Sequence, residues 1–372
     1  MHKADPVGPG REGWDPGLQG WSQVQQTENL NIEAFEPIPT PEQIHERLPL
    51  TEAAARTVIA GRRALEAILD RRDPRLFLVV GPCSIHDPEA AIAYAEKLKK
   101  VADATRDHLL IVMRTYFEKP RTVVGWKGLV SDPHLDGSCE ISDGLTLARK
   151  ILLRINALGL PCATEFLDTV VPHYLSDMVS WAAIGARTTE SQVHRQMTSG
   201  LSMPVGFKNS TDGALQNAIN AMLSARHAHA FLGINTDSNS SVVKTLGNQD
   251  VHIVLRGGAS GTNYHPEDIA IAAKAVAEEG LPRGVMVDCS HDNSGKDHTK
   301  QGPVFAEVVR NFANGQKAIL GVMIESNLSP GKQTWMQGVP LKYGVSITDS
   351  CIGWEETEHM LLGAASLLSQ GG

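Results

Sequence analysis

The sequence predicts an α/β protein, a (β/α)8 or TIM barrel, with an N-terminal arm and helix extension and an inserted β-hairpin. Three observations predict it. Eight short apolar runs, LFLVVGPC, LLIVMR, PCATE, AAIGAR, PVGFK, HIVLR, GVMVDCSH and AILGVMIE, are bounded by Gly, Pro and polar clusters, the pattern of strands buried on both faces. Most spacers between them carry a helical pattern, so strand and helix alternate. Each run also ends in a residue with chemistry: Cys83, Arg114, Glu165, Arg187, Lys208, Arg256, His291 and Glu325. Barrels of this type place their active sites at the C-terminal ends of the strands.

The elements follow in chain order. Residues 1–30 are rich in Gly, Pro, Gln and charge, and read as an arm that Trp14 and Trp21 anchor on a neighbouring subunit. Residues 40–72 read as helical, with Thr51 as a cap before an apolar stripe of Ala54, Val58, Leu65 and Leu69. Residues 1–74 are therefore assigned to oligomer formation and regulation, and 75–372 to the catalytic barrel. About residues 228–247, AHAFLGINTDSNSSVVKTLG, two short strands flank the polar turn TDSNS and interrupt the barrel between its fifth and sixth strands. An insertion of this kind is often functional. ETEHMLLGAASLL reads as the closing helix.

Composition narrows the function. The chain has 372 residues, 42% hydrophobic and 20% charged, enough for one large barrel plus an appendage. Its formal net charge of −8 argues against a general nucleic-acid binder and leaves room for a local anion site. No apolar run reaches the roughly 18 residues of a membrane span, and the first residues lack a secretory pattern. Five cysteines without close pairing suit reduced thiols in the cytoplasm.

Two classes of group share the strand ends. Cys83, His291 and Glu325, joined by Asp349 in the loop SITDSCIGW, offer a thiolate, an imidazole and two carboxylates, a mixed set suited to a divalent transition metal. The cations are Arg114, Lys119 and Arg121 in RTYFEKPRT, Arg187 in GARTTES, Lys208 in GFKNSTDG, and Arg256 before glycines in LRGGASG. Cations beside glycines and free backbone N–H groups make phosphate cradles. A like-charge cluster at a barrel mouth calls for an anion, and fixed cations around a metal suit a highly phosphorylated substrate.

These residues fall in motifs that recur in order: GPCSIHD, MRTYFEKPRT, GWKGL, TEFLD, IGARTTESQ, VGFKN, VLRGG, SHDNS, GVMIES and YGVSITDSCIGW. Over about residues 30–370 the chain closely resembles the 3-deoxy-D-arabino-heptulosonate 7-phosphate (DAHP) synthases of the microbial type I, aromatic-regulated class. One motif departs from the pattern: SITDACIG reads SITDSCIG here, with Ser350 in place of alanine.

The resemblance implies a transferase that condenses phosphoenolpyruvate with erythrose 4-phosphate and releases phosphate, as a dimer or tetramer. It places phosphoenolpyruvate on Arg114, Lys119, Ala186, Arg187, Lys208 and Arg256. It places erythrose 4-phosphate on Lys119, Pro120, Arg121, Thr122 and Asp349. One divalent metal per subunit sits on Cys83, His291, Glu325 and Asp349, with Mn2+ favoured over Fe2+, Co2+ or Zn2+. Lys119, Lys208, Glu165 and His291 are the catalytic candidates. An aromatic amino acid effector is implied near Pro172, Leu201, Ser202, Phe231, Gly233 and Val243. Relatives preferring phenylalanine tend to carry serine at the position of Gly233, so tyrosine is the expected effector. An octulosonate-type synthase, disfavoured by the sequence from Lys119 to Thr122, another metal-dependent aldolase and a non-catalytic regulatory barrel remain the alternatives.

Overall fold

The structure, a computed structural model, describes residues 27–121, 125–281, 284–336 and 338–370. The expected roles of Trp14, Trp21 and Thr122 fall outside the described residues. The chain divides into two compact units, one ending at Ile38 and the other spanning Pro39–Gly372. The helical segment before the barrel therefore belongs to the same unit as the barrel.

That segment forms two helices, α1 (Pro41–Arg47) and α2 (Glu52–Leu69), where the sequence pattern suggested one run. Pro49 explains the break, because it has no N–H to continue the helix and disfavours helical geometry in the residue before it. Each helix has its own cap: Thr40 with Gln43 forms a capping box, and the Thr51 hydroxyl accepts from Ala54 N–H at 3.3 Å.

The remaining elements are β1 (Leu76–Gly81), α3 (Pro88–Thr105), β2 (Leu109–Arg114), α4 (Ile141–Ala157), β3 (Cys162–Glu165), α5 (Val171–Leu175), β4 (Trp181–Ile184), α6 (Gln192–Thr198), β5 (Val205–Lys208), α7 (Gln216–Ala225), β6 (Ala230–Ile234), β7 (Ser240–Lys244), β8 (Val251–Leu255), α8 (Pro266–Glu278), β9 (Val285–Asp288), α9 (Gln301–Ala313), β10 (Ile319–Glu325) and α10 (Trp354–Gln370). Eight strands close a parallel barrel in the order β1-β10-β9-β8-β5-β4-β3-β2. The expected (β/α)8 architecture is what the chain adopts. β6 and β7 pair antiparallel and stand apart as the inserted hairpin. In its turn the Asn235 side chain accepts from Asp237 and Asn239 N–H groups, and Ser238 takes the left-handed φ of 61°.

Alternation along the strands produces two cores. One face of β1 presents Phe77 and Val79 to the barrel interior with Val112, Ala163, Trp181, Ala183, Val254, Met286 and Met323. The other face packs Leu76, Leu78 and Val80 against the surrounding helices. α2 closes the N-terminal end: its Leu65 and Ile68 join the interior core, against residues at the starts of the strands. Arg71 donates to the carbonyls of Ala318 and Ile319, and Arg62 to those of Ser176 and Val179. Gly61 allows this approach, since a Cβ there would lie 2.8 Å from Pro161 and Ser180. No helix among the described residues is long and apolar enough to cross a membrane.

Candidate active site

With one end closed, the other carries the polar side chains. A cavity of about 820 Å³ opens there, lined by Lys119, Pro120, Arg121, Glu165, Ala186, Arg187, Lys208, Arg256, His291, Glu325 and Asp349. Residues spread over more than 200 positions meet because each strand delivers its last residues to one rim. Lys208, Glu165 and Glu325 end their strands, and Arg256 directly follows β8. Cys83 and Arg114 lie fully buried beneath this surface.

The donor cluster is built from the turn after β1, the end of β10 and the loop after β10. Donor atoms of Cys83, Glu325 and Asp349 all lie within 4.8 Å of one another. Cys83 Sγ is 3.5 Å from Asp349 Oδ2. His291 lies outside that trio yet faces the same cavity. Burial opposes ionisation of Asp349, but Lys119 and then His291 outweigh it and hold the carboxyl below its usual range. Burial and Glu325 push the Cys83 thiol up to about 11, so loss of its proton calls for a cation at the sulfur. A sulfur, two carboxylates and a nearby imidazole fit a divalent transition metal.

The cations are held rather than free. Arg114 Nη2 is 2.8 Å from Glu325 Oε1, its Nε and Nη2 donate to the carbonyls of Pro82 and Cys83, and it stacks on the Tyr116 ring. Arg114 thus anchors Glu325 and does not line the cavity. Lys119 Nζ lies 3.0 Å from Cys83 Sγ. Arg256 pairs with Asp292 at 2.5 Å, while its backbone N–H donates to Asn209 Oδ1. Arg187 donates to the Pro120 carbonyl, and Arg121 to that of Trp126.

The most informative residue absent from the sequence reading is Asp288, the last residue of β9. Fully buried, its Oδ2 stands 3.1 Å from Lys208 Nζ and 3.0 Å from His291 Nδ1, and its Oδ1 accepts from Ser290. Burial raises the cost of its charge, yet His291 and Lys208 override this and hold its carboxyl well below the usual range. Engaging Nδ1 leaves Nε2 as the ring nitrogen available to the cavity. The signal existed: an acid inside the apolar run GVMVDCSH needs a partner. Gln301 is a second such residue, its amide donating to the Glu325 carbonyl and accepting from the Glu325 N–H.

The expected effector positions lie elsewhere. Pro172 is buried in α5, Leu201 and Ser202 precede β5, and Phe231 and Val243 face each other across the hairpin. Thr245 ties the hairpin to Ser199 through a 2.6 Å hydroxyl contact. Ser202 also borders a smaller cavity of about 340 Å³, with Leu50, Ile59, Arg62 and Asp177. Gly233 sits in a regular strand, where a Cβ would come within 2.7 Å of Val243 Cγ2.

Comparison with known proteins agrees with this geometry. The model of the DAHP synthetase I family matches residues 49–362. The chain is 52% identical over 336 residues to phospho-2-dehydro-3-deoxyheptonate aldolase, Phe-sensitive, of Escherichia coli (strain K12), covering 90% of this chain and 96% of that one. It is 51% identical over 334 residues to the Tyr-sensitive counterpart of the same strain, covering 90% and 94%. The solved structure of phospho-2-dehydro-3-deoxyheptonate aldolase from Francisella tularensis SCHU S4 superposes with a TM-score of 0.90 at 45% identity, covering 92% of this chain and all of that one.

Proposed function

The chain belongs to the DAHP synthetase I family, and from that premise we propose that it condenses phosphoenolpyruvate with D-erythrose 4-phosphate to DAHP and inorganic phosphate, the first step of the shikimate pathway. The observation that carries this is the convergence of Lys119, Arg121, Arg187, Lys208 and Arg256 on one cavity that Glu325 and Asp349 also line.

Arg187, Lys208 and Arg256, with the backbone at Ala186, hold the phosphate and carboxylate of phosphoenolpyruvate. Arg114 supports that cradle from below through Glu325. Arg121, together with Pro120, grips the phosphate of erythrose 4-phosphate, and Lys119 stands between the two substrates. Cys83, His291, Glu325 and Asp349 would hold one divalent metal, Mn2+ by preference, which when bound would supply Lewis acidity toward the aldehyde or activate water. The enol carbon attacks the aldehyde carbon, positive character develops at C2, and water adds there. Glu165 positions that water, and Lys208, fixed by Asp288, moves the proton before phosphate leaves. Orientation and charge neutralisation of this kind supply about 7–11 kcal/mol in favourable cases.

Phosphate release with erythrose 4-phosphate against arabinose 5-phosphate, in protein of measured metal content, tests the reading. Release only with arabinose 5-phosphate moves the enzyme to octulosonate synthesis, and release with neither leaves a non-catalytic barrel.

Regulation by an aromatic amino acid completes the proposal. Names of relatives at 52% and 51% identity include both Phe-sensitive and Tyr-sensitive forms, so overall likeness does not choose the effector. Gly233 supports tyrosine in that it carries no side chain of its own, although Val243 Cγ2 stands 2.7 Å from where its Cβ would be. A homodimer or homotetramer is supported by the exposed apolar Leu30, Ile32 and Phe35 in the first unit, and Leu232, Val242 and Leu246 in and beside the hairpin.

A further inference from the structure

Of the four proposed metal donors, Asp349 is the one placed far from a strand end. It lies in the long loop between β10 and α10, and its side chain is exposed to the cavity while Cys83 and Glu325 are buried. A carboxylate on irregular backbone holds ligand geometry only where its neighbours are themselves fixed.

Both neighbours are fixed, and each by a different donor-bearing segment. Thr348 Oγ1 lies 2.8 Å from Ser84 Oγ in a buried contact, and Ser84 directly follows Cys83. Ser346 accepts the Thr348 N–H at 3.2 Å and keeps that residue in place. On the other side, Ser350 Oγ lies 2.9 Å from His298 Nδ1, and His298 opens the short helical turn that follows the one containing His291. Beyond them, Ile352 N–H donates to the Glu325 carbonyl at 3.0 Å and ties the loop to β10. The donor is thus braced toward the segments of Cys83, His291 and Glu325. An alanine at residue 350 could not reach His298.

We infer that Thr348 and Ser350 are positioning residues for Asp349: their two hydroxyl bridges set how tightly this chain holds its divalent cation. The inference rests on the metal site proposed above.

Equilibrium dialysis of metal-free, full-length protein against Mn2+ alone provides the test. Thr348→Val and Ser350→Ala should each weaken binding about ten-fold, the low end for groups that orient metal ligands. Thr348→Ser should bind as the unmodified protein does. Adding His298→Ala to Ser350→Ala should weaken binding no further, since both remove one bridge. Metal-free Ser350→Ala should unfold at the same denaturant midpoint as the unmodified chain, while Mn2+ raises that midpoint less. KM for phosphoenolpyruvate at saturating Mn2+ should hold. Unmodified affinity in both hydroxyl-free variants overturns the inference. If Thr348→Val does not fold, Ser350→Ala decides alone. Failure of the underlying site looks different: the unmodified protein then binds no Mn2+, or Cys83→Ala binds it equally well, and the inference falls with the site.

Discussion

Lys208 and Asp288 meet at the floor of the cavity, Nζ to Oδ2 at 3.1 Å, with both side chains buried. Removing one member of such a pair strands the other charge, at a cost of about 3–5 kcal/mol. Asp288→Asn is therefore expected to lower stability by that order, and to cut kcat more than ten-fold by releasing both Lys208 and His291. Denaturant unfolding and steady-state rates check this. An unchanged midpoint would remove the pair from the account of stability.

Cys83→Ala should abolish stimulation by divalent metal while leaving the fold largely intact. Its small side chain is buried beside Glu325 and Asp349, so truncation costs little packing but deletes the soft donor. Metal titration of the rate, with a melting curve as control, reads this out. Full activity in metal-replete buffer refutes the ligand role.

Cys83 and Cys351 are expected to form a disulfide in metal-free, air-exposed protein. Both sulfurs lie against Asp349, Cys83 Sγ 3.5 Å from its Oδ2 and Cys351 Sγ 3.6 Å from its carbonyl oxygen, and all five cysteines are free in this structure. Thiol counting should fall by two, and Cys351→Ser should prevent that loss. Retention of five thiols after exposure ends the idea.

His252 gives a pH prediction away from the site. Inside the barrel its Nε2 accepts from the Trp181 indole N–H at 2.9 Å, and Nδ1 lies 3.2 Å from the Ile253 carbonyl. Burial pushes the imidazole down to about 4 from an ordinary 6.5. Its stabilising effect is complete above pH 6.5. As pH falls from 6.5 toward 4 the unfolded chain takes a proton the folded one refuses, so stability declines, by roughly 3 kcal/mol in full. His252→Gln keeps an acceptor for Trp181 and should flatten that decline between pH 6.5 and 4.5 in urea midpoints. Equal slopes in both proteins would discard the assignment.

Tyrosine should inhibit more strongly than phenylalanine or tryptophan, and Gly233→Ser should shift preference toward phenylalanine. The structure adds a condition: a Cβ at 233 presses on Val243, so that side chain must rotate or move. Discrimination over one hydroxyl is worth about 1–3 kcal/mol, and weaker inhibition by phenylalanine is therefore expected. Insensitivity to all three amino acids eliminates the effector site, whereas stronger inhibition by phenylalanine overturns only the choice of tyrosine.

The barrel was legible because its strands are buried on both faces, which forces continuous apolar runs, and because each run ends in a functional group. Lys208 and Glu325 follow directly from that rule. Asp288 was hidden by the same rule, since its run was read for what ended it and not for the acid within it. The bridges of Ser84 to Thr348 and His298 to Ser350 have no sequence signature. Ser, Thr and His are ordinary loop residues until folding sets the loops side by side. Gln301 was missed for the same reason: its partner is the backbone of Glu325, and backbone leaves no trace in composition. Pro49 was the opposite case, a plain local breaker within a stretch read for its apolar stripe.

The plug that α2 inserts beneath the barrel has a consequence for traffic. Leu65 and Ile68 stopper the interior from below, so the described residues leave the vestibule no passage down through the barrel. On the proposed reaction, substrates entering and DAHP and phosphate leaving then share the rim formed by the strand ends.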